Sequence, residues 1–446
     1  MEYGQRLLVY LPANEKKGLL RRMGVVMVDS LMQEEEGILI LEQAAMDPDP
    51  DAGALAKLED LYSQRSDWDR LIELLLRQAA TTQDSEEAVN KLARAAQLRV
   101  DQSHNKEAAV AIYKELLTRK ANHVDALRFL GDWYFNIKDM ESAARYLGEM
   151  ETAAMALDID DFDAQIETSL YFFRFAEALK ATGKQSQAVS RYERALDLNP
   201  THLPSLEAVG PIYMEATDWN KAEKVWRQLL QLTGGHGNSP EVARIYTNLG
   251  IVETRLGQLD KARKRFTKAL ELKPHDIAAL QGYAVVLNAA GDWNRLLDTY
   301  NQIIYYTNEV TEAMDAYIDK GFVLDGRLHL TENAAQHYEK ALLFDNTNPG
   351  ALLRLAEIAL RRQDWNEALR LTNRVSTPPR APLASGLALV RAVAEAAAGD
   401  TVKAHSAFQE ALQADPTFAA LLGPVSIEDY SRVHEVLRAR LQASRI

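Results

Sequence analysis

The residue types able to do chemistry are present but scattered. Nine histidines stand at 104, 123, 202, 236, 275, 329, 337, 405 and 434. None belongs to an HExxH pair or a tight His/Asp cluster that would hold zinc and activate water. Asp47-Pro48-Asp49-Pro50-Asp51 spaces carboxylates as the start of a calcium loop does. That loop needs Gly at its sixth place and Glu at its twelfth, and those places hold Ala52 and Leu58. Gly234-Gly235-His236-Gly237 reads as a helix terminator, because no strand precedes it to make it a phosphate cradle. No GxxxxGK[ST], GxGxxG or GxSxG occurs in a strand–turn–helix setting. The absence of cysteine removes thiolate ligands and thiol nucleophiles. The expectation is a chain with no catalytic residues, no metal site and no cofactor.

Charge gives two further features. Lys261, Arg263, Lys264, Arg265 and Lys268 crowd one predicted helix, which is expected to be a solvated face. Residues 141–168 hold eight acids and one base, an acidic edge that could dock a basic partner through Asp158, Asp160, Asp161 and Asp163. The whole chain has 446 residues and a formal net charge of −13, which argues against a nucleic-acid or anionic-membrane surface as its main business. No apolar run reaches the length of a membrane span, and the N-terminus lacks a basic segment followed by an apolar one. The expected compartment is the cytoplasm.

The elements that must position these residues follow a repeat. Counting from residue 243, Tyr246 is at position 4, Leu249 at 7, Gly250 at 8, Ala262 at 20, Phe266 at 24, Ala269 at 27 and Pro274 at 32. Positions 4, 7, 8 and 11 share one face of a first helix, and 20, 24 and 27 share one face of a second. Small residues at 8 and 20 let the two backbones approach. Aromatics at 4 and 24 fill the space between neighbouring hairpins, and Pro at 32 stops the second helix. The same frame starts at 52, 90, 124, 169, 203, 243, 277, 315, 349 and 385, ten times in all. One residue is inserted in the repeat at 315, between Gly321 and Ala334.

The steps between starts run 38, 34, 45, 34, 40, 34, 38, 34 and 36 residues, so every second repeat carries extra residues before its first helix. Helix-start signals there, such as Ser239-Pro240-Glu241, predict a lengthened first helix. The other five repeats carry Asp67, Asp139, Asp218, Asp292 and Asp364 at position 16, four of them followed by Trp. Asp at the turn is placed to cap the second helix, and Trp to cover the hairpin edge. The expected organisation is a degenerate N-terminal capping hairpin over 1–51, ten repeats over 52–418 and a C-terminal capping helix over 419–446.

This pattern resembles the tetratricopeptide repeat, a helical hairpin of 34 residues. The resemblance implies an all-α, right-handed superhelical solenoid in which first helices line a concave groove through positions 2, 5, 9 and 12. Extended peptides often bind there. Carried over to this chain, the central groove is Met214, Thr247, Ile251, Gln281, Val285 and Asn288. Toward the N-terminus it becomes Arg128, Asp132, Phe135, Asn136, Phe173, Glu177 and Lys180. A carboxylate clamp of the chaperone-receptor kind is not matched, since Glu207 and Pro211 stand where Lys and Asn would. The expected function is a non-catalytic protein-interaction scaffold with a protein or peptide partner, no nucleic acid and no membrane insertion. Two alternatives stay open: the regulatory or substrate-recognition region of a larger enzyme, and an RNA-binding helical repeat.

Overall fold

The computed structural model describes residues 8–46, 51–154, 162–234, 240–375, 379–380 and 383–416. These residues form 22 α-helices and no strand. Two of the helices, Ala13–Asp29 and Glu34–Ala45, pair as a hairpin ahead of the first repeat. The other twenty are the first and second helices of the ten repeats. The region 419–446, expected as a capping helix, lies outside the described residues.

The first helices alternate in length as the spacing predicts. Ala52–Gln64, Val124–Asn136, Leu203–Glu215 and Pro349–Arg361 have 13 residues each, and Ile277–Ala290 has 14. Between them come Ser85–Asp101 with 17, Phe162–Ala181 with 20, Pro240–Arg255 with 16, Val310–Gly326 with 17 and Leu383–Ala397 with 15. The extra residues are helix, and Asp84 caps the first of these by accepting from the backbone N–H groups of Glu86 and Glu87.

The hairpins close on small-against-large pairs. Phe266 and Trp226 are both fully buried. A Cβ added at Gly250 would lie 2.8 Å from Phe266, and one at Gly210 would lie 2.9 Å from Trp226. Burying each ring stabilises its hairpin by about 1.5–3 kcal/mol. Each second helix of the Asp-bearing repeats starts on its carboxylate. Asp364 accepts from Glu367 N–H at 3.0 Å, Asp139 from Ser142 N–H at 3.1 Å and Asp218 from Lys221 N–H at 3.2 Å. The following Trp residues are half-buried, and Arg327 lies 5.4 Å from the Trp293 ring.

The turn within every repeat passes through one residue with positive φ at position 15. It is Gly at 183, 257, 291 and 399, and Ser66, His104, Lys138, Thr217, His329 or Gln363 in the other repeats. Eight hairpins close with an N–H bonded five residues back, as Gln258 does to Glu253 C=O. Three close six residues back: Gln33 to Met27, Asn105 to Arg99 and Leu330 to Leu324. The inserted residue of the repeat at 315 therefore sits in its turn. The repeat at 90 has the same longer turn, which the spacing did not reveal.

The chain divides into two compact units, residues 1–209 and 210–446. The division falls inside helix Leu203–Glu215, one residue before Pro211. Proline there removes the N–H that would bond the carbonyl of Glu207.

Candidate functional site: the groove-facing first helices

In the first unit, a cleft of about 610 Å³ opens between neighbouring repeats. Its walls come from the first helices of the repeats at 90, 124 and 169, with Lys106 and Tyr113 from an intervening second helix. Arg128 and Asp132, at positions 5 and 9 of their repeat, line it as the frame predicts, and Asn136 at position 13 joins them. Arg174 Nη1 pairs with Asp132 Oδ1 at 2.5 Å, and Arg128 Nη2 with Asp125 Oδ1 at 3.0 Å. The second pair is more than half exposed on both sides, so its net contribution to folding is small and both groups can exchange partners. The apolar wall is Phe129 and Trp133, and Tyr113 meets Phe129 with ring centroids 4.6 Å apart.

Phe129, Trp133 and Arg174 escaped the sequence reading. They stand at positions 6, 10 and 6 of their repeats, one residue past the positions that the frame assigns to the groove. The signal available was the concentration of aromatics in Phe129–Phe135. The other N-terminal groove positions lie apart from this cleft. Phe173 meets the His202 ring at 5.1 Å, and Glu177 accepts a hydrogen bond from Tyr192. Phe135 sits 5.4 Å from the Lys138 ammonium.

The central-groove residues divide in the second unit. Gln281 is exposed and its side-chain amide reaches Glu312 at 3.4 Å. Val285 is 55% exposed, an apolar side chain left in solvent one turn further on. Asn288 and Ile251 are half-buried, Ile251 against the Val242, Tyr246 and Phe266 cluster. Met214 is half-buried, and its sulfur accepts from the Trp226 indole N–H at 3.2 Å. Thr247 does not stand at the surface. It is buried, and its hydroxyl donates to the Ala243 carbonyl at 3.1 Å, so its hydrogen-bonding capacity is spent on its own helix. The equivalent positions of the last two repeats are also buried, with Leu353 and Leu389 fully so. Of the acidic edge, Asp158, Asp160 and Asp161 lie outside the described residues, and Asp163 is in the first turn of helix Phe162–Ala181.

Among the described residues, no group of three or more His, Asp or Glu is arranged to hold a metal ion. No described helix is long and apolar enough to cross a membrane.

Three stretches of the chain match family models described as tetratricopeptide repeat: residues 54–89, 204–275 and 330–387. Among curated proteins, the chain is 27% identical over 163 residues to Protein CTR9 homolog of Arabidopsis thaliana, covering 36% of this chain and 14% of that one. It is 20% identical over 270 residues to Lipopolysaccharide assembly protein B of Escherichia coli K12, covering 60% and 66%. The chain thus spans less than two thirds of the length of either relative. A solved structure of the C-terminal part of a TPR repeat-containing protein from Cytophaga hutchinsonii aligns with TM-score 0.42 and 18% identity, over 59% of this chain and 98% of that one. The residue frame, the hairpins that realise it and the three matched stretches lead to one conclusion: the chain is a tetratricopeptide-repeat protein.

Proposed function

We propose that the chain is a non-catalytic interaction scaffold that holds an extended segment of a partner protein along its groove-facing first helices, as part of a multiprotein assembly. The observation that carries this reading is the cleft at Arg128, Asp132 and Arg174. It sets the exposed pair Arg128–Asp125 and the half-buried pair Arg174–Asp132 beside an aromatic wall. Such a surface offers donors and acceptors to a peptide backbone and an apolar seat to one side chain. Val285, exposed beside Gln281, offers a second apolar contact within the other unit.

The test is site-specific photo-crosslinking. A benzophenone side chain placed at Asn136, exposed in the cleft, should capture a partner from the native cell, identified by mass spectrometry. The same probe at Gln187, exposed on a second helix, should capture less. Arg128→Glu should abolish the capture at Asn136. Crosslinks that form equally at Gln187, or that persist in Arg128→Glu, would remove the cleft from the reading.

A further inference from the structure

The basic helix Leu259–Leu272 is the second helix of the repeat at 243. Its five cations do not all face solvent. Arg265 turns inward, with Nε 3.3 Å from the fully buried carboxylate of Glu253. Lys268 pairs with Glu271 at 2.8 Å. Arg263 and Lys264 are exposed, and among the described residues neither has a carboxylate within ion-pair distance. Two adjoining clefts of about 330 and 430 Å³ run beside this helix. They share Thr267, Glu271, Tyr283 and Arg295, so Arg295 of the next repeat, 3.6 Å from Asp292, lines the same opening as Arg263 and Lys264.

We propose that this cleft binds an extended acidic segment of a partner protein. Lys264 and Lys268 are four residues apart on one helix face, a rise of about 6 Å. Side chains at alternate positions of an extended strand are about 6.6 Å apart. A segment with acidic residues at every second position therefore places one carboxylate opposite Lys264 and the next opposite Lys268, where it replaces the exposed Glu271 as partner. Tyr283 gives the strand a partly apolar floor, and Thr267 and Gln302 offer hydrogen bonds to its backbone. A nucleic-acid strand fits less well. Tyr283 is the one aromatic ring lining the two clefts, whereas a single nucleic-acid strand is held by stacking successive bases on several.

The probe is a fluorescein-labelled decapeptide alternating Glu and Thr, with the Gln–Thr peptide as its neutral control. Fluorescence anisotropy at about 50 mM salt, where charge attraction is weakly screened, reads its affinity. The acidic peptide should bind, the neutral one should not, and Arg263→Glu with Lys264→Glu should weaken binding by about tenfold or more. Both side chains are exposed, and circular dichroism should show the double variant folded. Arg128→Glu, in the other unit, should leave this binding unchanged, which separates it from the groove reading. Failure of the acidic peptide to bind, equal binding by the double variant, or tighter binding of an oligothymidylate of matched charge would each overturn the proposal.

Discussion

The ring of Phe266 occupies the space that a side chain on Gly250 would need, with a Cβ there falling 2.8 Å from its edge. The first helix can approach the second only because one residue contributes no side chain and the other contributes a large one. Gly250→Ala gains about 1 kcal/mol of helix propensity. It should lose about 1–3 kcal/mol to overpacking, because the ring is fully buried and has no room to withdraw. The expected outcome is a lower melting temperature. Phe266→Leu should largely remove the penalty of Gly250→Ala in the double variant; an additive result would show that the two residues do not compete for space.

Tyr246 is buried at position 4 of the same hairpin. Tyr246→Ala should cost about 3–5 kcal/mol, as truncations of large core aromatics do. Gln281→Arg, at an exposed site, should change stability by less than about 0.5 kcal/mol. Chemical denaturation of the two variants side by side checks both. A melt of Tyr246→Ala that matches the native chain would mean the repeat frame is misregistered.

Helix Trp365–Thr372 has only eight residues, so its cap matters more than most. Asp364→Ala removes the acceptor for Glu367 N–H and should destabilise by about 1 kcal/mol, whereas Asp364→Asn should cost little. Hydrogen exchange at the first turn of this helix, faster in the Ala variant and near native in the Asn variant, is the measurement.

His337 supplies a pH dependence. Burial and the neighbouring charges of Lys320 and Lys340 push its imidazole down to about 4 from an ordinary value near 6.5. Its ring lies 5.9 Å from Tyr317, with Nδ1 buried and lacking a hydrogen bond. The folded form resists protonation that the unfolded chain accepts. Above pH 6.5 neither form is charged and the histidine is neutral in its effect; between 6.5 and 4 the unfolded chain gains protons and stability falls. Relative to His337→Gln, the native chain should lose melting temperature as pH drops through that window. Parallel curves for the two proteins would exclude the assignment.

Much of the fold was legible in the sequence because hairpin packing depends on local spacing. Gly250 and Phe266, or Gly210 and Trp226, are sixteen residues apart within one repeat, and a frame of one repeat length captures them. The extra turn of helix in alternate repeats was legible for the same reason. The longer turn at His104 was not, because the repeat at 90 lacks the Gly that exposed the insertion in the repeat at 315. Surface assignments fared less evenly. Gln281 and Val285 stand in solvent, but Thr247 occupies the same position 5 as Gln281 and is buried. Leu353, on a first helix of only 13 residues, is buried at the same position too, so cover comes from neighbouring elements and a position number carries no information about it. Phe129 and Arg174 line the unit-one cleft because of the gap between adjacent first helices, a distance that residue spacing does not encode.

The positive-φ residue in each turn sets a local balance that differs from repeat to repeat. Glycine adopts that conformation freely, while Ser66, His104, Lys138, Thr217, His329 and Gln363 hold it at a cost of about 1 kcal/mol each. In a stack where each hairpin leans only on its neighbours, such a cost is felt locally. The chain therefore carries a graded series of weak points, one residue wide, that rank the order in which segments open to solvent and to proteases. Exchanging Ser66 for Gly would make its hairpin open later while removing only one exposed hydroxyl, so the lifetime of a docking surface can be changed with little change in its chemistry.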